Sequence, residues 1–158
     1  MFTLHTDAKF DDTERLIDKI TRLGNAQTRA IADGIKQQHQ ANFTRQGSGN
    51  GAWRPLAPAT VADRRRQGYA GNRPVLVRRG DLRRSFVERG SDNHERIWQS
   101  AVGLTIESGS DDPRAIFHER GTGRMPAREV VPLDDAQEDG LVRLIDFAIG
   151  QTERQFWR

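Results

Sequence analysis

The residues with the greatest chemical reach in this 158-residue chain are its arginines. Arg64-Arg65-Arg66, Arg78-Arg79 and Arg83-Arg84 fall within 21 residues. A guanidinium presents a rigid fork of donors that matches carboxylate or phosphate, and it is less hydrated than an ammonium. Two chemistries use such a cluster. It can neutralise nucleic-acid phosphates and release counterions. It can equally pair with acidic neighbours or with a partner subunit. Aromatic interleaving is thin, with Trp53, Tyr69 and Phe86 only, so a base-stacking platform is not expected. Sequence-specific DNA reading ranks below contact with passing or packaged DNA, and both rank below protein–protein packing.

Other reactive patterns fail on spacing. His118-Glu119 suggests a zinc-protease helix, but the position four residues after the first His is Thr122. His5, His39, His94 and His118 share no ligand spacing, so no metal is expected. Gly47-Ser48-Gly49-Asn50-Gly51 lacks the Gly-Lys-Ser/Thr of a phosphate loop, and Gly121-Thr122-Gly123 is a lone Gly-x-Gly. No Ser stands in a nucleophile-elbow pattern. Asp111-Asp112 and Asp134-Asp135 read as caps or solvated turns. The expectation is a non-enzyme without cofactor; a hydrolase using His118 and Glu119 is the weakest reading.

The surrounding composition sets the frame for these residues. The length suits one domain, here 1–158, with a core that needs no staples. Of 25 basic residues, 22 are Arg. From Arg45 to Arg89 there are 11 Arg against Asp63, Asp81 and Glu88, a net +8 that leaves −5 for the rest of a +3 chain. Such polarity suggests an asymmetric surface, self-complementary between subunits. No apolar run approaches the ~20 residues of a membrane helix. The first seven residues show no secretory signal. Absent cysteine excludes disulfides and thiolate metal sites and fits a cytoplasmic origin.

The pattern of apolar residues predicts an α+β fold, a small antiparallel sheet flanked by a long N-terminal helix and a C-terminal amphipathic helix. Phe2, Leu4 and Thr6 alternate as a short strand. Asp11 or Asp12 caps one long helix over 12–45, interrupted or kinked at Gly24-Asn25. Residues 46–74 form an extended, basic, Gly/Pro-punctuated arm, with a helical turn or two over 59–66. Residues 82–89, 95–99 and 101–107 read as an antiparallel meander, the last two alternatively as one bent strand. Asp112-Pro113 starts a helical turn through His118 that Gly121 ends, and 124–132 is extended. Leu141, Leu144, Ile145, Ala148, Ile149, Thr152 and Phe156 form the stripe of the last helix. Trp53 is either core or an anchor for a neighbouring subunit. Phe156 reads as core, and Trp157, off the stripe, as a contact.

In order along the chain stand Gly51-Ala52-Trp53-Arg54-Pro55-Leu56 with Thr60 and Arg64, then Leu76-Val77-Arg78-Arg79-Gly80-Asp81-Leu82-Arg83-Arg84-Ser85. A strand ending Glu107-Ser108-Gly109-Ser110 follows, then Ala115-Ile116-Phe117-His118-Glu119-Arg120-Gly121, then Pro126-Ala127-Arg128. Over roughly residues 40–132 this order resembles the virion-morphogenesis, or tail-completion, family of tailed bacteriophages. The chain departs from the family at Arg114-Ala115, where Tyr-Ala is common, and at Glu129-Val130-Val131-Pro132 after the Pro-Ala-Arg. The resemblance implies a structural virion protein, assembled in the host cytoplasm, that acts at the tail end joining the head. It implies a homo-oligomer, by expectation a six-fold ring at the neck around the DNA channel. Its partners would be other neck and tail proteins such as a connector, tail tube or terminator, with non-specific contact to genomic DNA and no membrane. Trp53, Pro55, Leu56, Arg64, Arg65, Arg66, Arg78, Arg79, Arg83, Arg84, His118, Arg128 and Trp157 are then the interface and partner candidates. The alternative is a small Arg-rich DNA-binding protein.

Overall fold

A computed structural model describes residues 10–71, 74–101 and 103–156. The expected strand over Phe2–Thr6 and the candidate Trp157 lie outside them. The fold is α+β, with six helices and two small antiparallel two-stranded sheets among the described residues. In chain order these are α1 (Phe10–Thr21), α2 (Asn25–Arg45), β1 (Gly47–Ser48), β2 (Gly51–Ala52), α3 (Pro58–Arg66), α4 (Asp81–Val87), β3 (Asn93–Ser100), β4 (Gly103–Ser110), α5 (Ala115–Arg120) and α6 (Asp135–Phe156). None of these helices is long and apolar enough to cross a membrane. The expected interruption of the N-terminal helix near Gly24-Asn25 is a full break at Arg22-Leu23-Gly24, which leaves two helices. Asp11 and Asp12 stand inside α1, not ahead of it as caps.

The chain divides into two compact units. The first joins residues up to Ile35 with Glu95–Ser108 and residues from Ala136 on. Leu23, Ile31, Ala32, Ile35, Ile106, Leu141, Ala148 and Ile149 are buried there. The last helix follows its predicted stripe: Leu141, Ala148, Ile149 and Thr152 are buried, Leu144 and Ile145 half-buried, and Glu138, Arg143, Asp146, Glu153 and Arg154 exposed. Gly34 lets α2 approach α6 closely, because a Cβ there would lie 2.4 Å from a Leu144 methyl. Lys19 pairs with Glu153 at 3.0 Å.

The second unit joins Lys36–His94 with Gly109–Asp135. Its core is Phe43, Trp53, Leu76, Leu82, Phe86, Ala115 and Val130. Trp53 is therefore core: its ring stands edge-on to Phe43 at 5.5 Å. Residues 46–74 are not extended throughout. They hold the hairpin β1–β2, paired Gly47 to Ala52 and Ser48 to Gly51, and the nine-residue helix α3.

The meander is corrected. Residues 82–89 are expected as a strand, but Asp81–Val87 form helix α4 and Glu88 follows it as an extended C-cap. Gly80, at φ 92°, turns the chain into it from the left-handed region, and Asp81 sits favourably at the helix's positive end. Leu82, Ser85 and Phe86 are buried, which is helical spacing. The sheet keeps only β3 and β4, longer than expected, with Ala101 in a turn after β3.

Candidate functional site

Three stretches far apart in sequence meet in the second unit. The first leaves the hairpin at Trp53. Pro55 and Pro58 bar a helix before residue 58, and α3 then starts on Pro58, where the missing N–H costs nothing. The helix turns Arg64 inward, 6% exposed, with Nη1 donating to the Pro74 carbonyl at 3.2 Å. Arg65 and Arg66 face out.

The second stretch is α5, which carries His118 and Glu119. Asp112 caps its approach, accepting the Arg114 amide at 2.9 Å and the Arg114 guanidinium. That guanidinium holds the Asp112 carboxyl below its ordinary value. Gly121 ends α5 at φ 70°. A Cβ there would lie 2.7 Å from the Ala127 amide nitrogen, so only glycine allows the fold-back.

The third stretch is this return. Thr122 and Met125 close a tight turn by two backbone bonds of 2.7 and 3.1 Å. The Arg128 amide then donates to the His118 carbonyl at 2.7 Å. The Arg128 guanidinium reaches the first stretch, Nε to the Arg54 carbonyl at 2.9 Å and Nη2 to the Pro55 carbonyl at 3.1 Å. Glu119 accepts the Val130 amide at 2.7 Å. Trp53 Nε1 donates to the Glu129 carbonyl at 2.8 Å, and Asn42 to the Val130 carbonyl at 2.7 Å.

Between them lies a cleft of about 500 Å³. Arg54, Arg64, Arg124, Arg128 and His118 line it, with Pro55, Leu56, Ala57, Thr60, Leu76, Met125 and Pro126. No carboxylate is among these residues. Leu76 is held at φ 61°, an uncommon conformation for a branched side chain. Burial lowers the His118 pKa, and the nearby Arg128 and Arg114 lower it further while Asp112 opposes them. His118 Nδ1 is buried without a hydrogen-bond partner. Burial, and then Arg54, disfavour the charge on Arg128. Burial raises the Glu119 pKa against the amides of Val130 and Val131. No hydrogen bond joins the side chains of His118 and Glu119.

The cleft gathers Pro55, Leu56, Arg64, His118 and Arg128 of the sequence candidates. Of the others, Trp53 is core, Arg65 faces out and Trp157 lies outside the described residues, while the remaining arginines have partners elsewhere. Arg66 pairs with Asp63 at 3.0 Å. Arg78 stacks 5.5 Å over the Tyr69 ring. Arg79 and Arg84 both reach Asp81. Arg83 donates to Gln40 at 3.4 Å. Sequence reading missed Arg54 and Arg124; both are single arginines outside the clusters, and nothing in their spacing links them. The chain matches no family model, no curated protein and no solved structure.

Proposed function

We propose that this chain is a structural, non-catalytic virion protein of tail-completion type, working at the head–tail joint as an oligomeric, six-fold ring. One observation carries the reading. The motifs behind the family resemblance are each other's contacts within one unit. Trp53 bonds the residue that follows Pro126-Ala127-Arg128, and Arg128 bonds the Arg54 and Pro55 carbonyls and the carbonyl of His118. Ser85 of the Leu82–Ser85 motif meets Ser110 of the strand motif at 2.6 Å. Ala115 shares the core with Trp53 and Leu82. Motifs that interlock in this way act as a framework, which suits a structural part better than a reaction centre.

The chain's charge also supports heterologous subunit contacts, since its +8 stretch and its −5 remainder offer two different surfaces. Neck and tail neighbours would be protein partners, with channel DNA touched only through its phosphates. The second reading, an Arg-rich DNA-binding protein, draws on the same stretch. It is weakened because Arg66, Arg79 and Arg84 are paired with carboxylates and Arg64 is buried.

Light scattering after size exclusion, with electron microscopy, tests the reading across protein concentration and salt. The expected result is a ring-sized species that dissociates as salt rises. A chain that stays monomeric and binds duplex DNA with a steep salt slope would favour the second reading.

A further inference from the structure

We infer that the cleft beside His118 is a docking site for a carboxylate-bearing, partly apolar peptide segment of a partner chain. The argument begins with an imbalance. Arg22, Arg45, Arg66, Arg84 and Arg114 each pair with an Asp. Arg54, Arg124 and Arg128 have no carboxylate within ion-pair distance among the described residues, and all three line the same cleft. Arg128 is only 6% exposed. A buried charge is normally matched by an opposite one, and leaving it unmatched is costly. Its two carbonyl acceptors satisfy hydrogen bonds without neutralising the charge. The cleft beside it is therefore one half of an ion pair.

The walls narrow the ligand. Leu56, Met125 and Pro126 offer apolar surface between the cations. A volume of about 500 Å³ falls in the range of ligand pockets and far exceeds a lone oxyanion. Trp53 is buried in the core and leaves no indole for stacking a base. Duplex phosphates lie on a convex surface and favour an open basic face over a recess. A short segment alternating acidic and apolar side chains meets both features. Guanidinium forks would hold its carboxylates, and a charge-assisted pair is stronger than a neutral one. This inference stands on the cleft alone and does not depend on the virion reading.

The test is a titration of the full chain, followed by nuclear magnetic resonance and calorimetry. The probes are the blocked peptide acetyl-Asp-Leu-Asp-Leu-amide, its Asn-Leu-Asn-Leu isostere, inorganic phosphate and a random DNA duplex. The acidic peptide is expected to shift amides over 54–60 and 118–128 and to bind at least about tenfold tighter than the isostere. Removing Arg128 risks the fold, so the variant is Arg54→Gln with Arg124→Gln, both exposed side chains. It should keep the parent Tm and lose about tenfold in peptide affinity. Equal binding of acidic peptide and isostere overturns the inference. So does phosphate binding as tightly as the peptide, or duplex DNA occupying the same residues in its place. Peptide binding by a chain that never forms rings would uphold the docking site while removing the assembly reading; rings without peptide binding would do the reverse.

Discussion

His39 carries the clearest residue-scale signature. It is 1% exposed, stands edge-on to Phe86 at 5.6 Å, and its Nδ1 has no hydrogen-bond partner. Burial, with help from Lys36 and against a bond at Phe86, lowers its pKa from 6.5 to about 4. A depressed histidine pKa means that the unfolded chain binds the proton more readily. Stability is full above pH 6.5 and declines as pH falls toward 4, by on the order of 3 kcal/mol. Urea midpoints measured between pH 7 and 4 should show this fall, and His39→Gln should flatten it. Asp112 acts in a lower window. The Arg114 guanidinium holds its folded pKa below the ordinary 3.8, so its contribution is present above 3.8 and is lost as pH drops through the folded value. Asp112→Asn should remove that acid limb and spare the one above it. Arg128→Lys should cost about 2 kcal/mol in urea, because one ammonium cannot reproduce two forked bonds to the Arg54 and Pro55 carbonyls.

At the scale of elements, the return segment from Gly121 to Asp134 is held largely by side chains. Asn42, with no exposure, donates to the carbonyls of Val130 and Pro132 at 2.7 and 3.2 Å. Asn42→Ala leaves both without that donor and should destabilise the chain by about 1–3 kcal/mol, read by thermal melting. Gly121→Ala should cost at least about 1–3 kcal/mol, since it adds left-handed strain to a clash with the Ala127 amide. The periodic parts of these elements were legible in sequence. The α6 stripe reports burial directly, whereas in β4 only Ile106 is buried and Leu104 is half-buried like its neighbours. Helix α4 was not legible, because Phe86-Val87 favour strand locally while the buried Ser85 hides the i, i+3, i+4 face. The cleft was half legible: Pro55, Leu56, Arg64, His118 and Arg128 drew notice as motif residues. Their meeting was not, because contacts between Arg54 and Arg128 span 74 positions and leave no periodic trace.

At the scale of the whole molecule, the division into two units is not a division of the chain by linkers. The chain passes from one unit to the other at 35/36, 94/95, 108/109 and 135/136, inside α2, β3, β4 and α6. Neither unit can be excised without cutting a regular element. Within the basic stretch, Arg66, Arg79 and Arg84 are held by Asp63 and Asp81 and Arg78 lies over Tyr69, while the stretch keeps its net +8 because those acids are already counted in it. The exposed tip between Thr122 and Met125 has a biochemical corollary. Arg124 stands open there, while Arg128 four residues on is sealed. Brief trypsin treatment should therefore sever the backbone at Arg124 well before Arg128. Strands anchored on both sides of that scission, by Gly121's fold-back and by the Glu119 and Asn42 clasps, should stay together. The nicked protein should elute as intact material on a native column and separate into two fragments only in detergent.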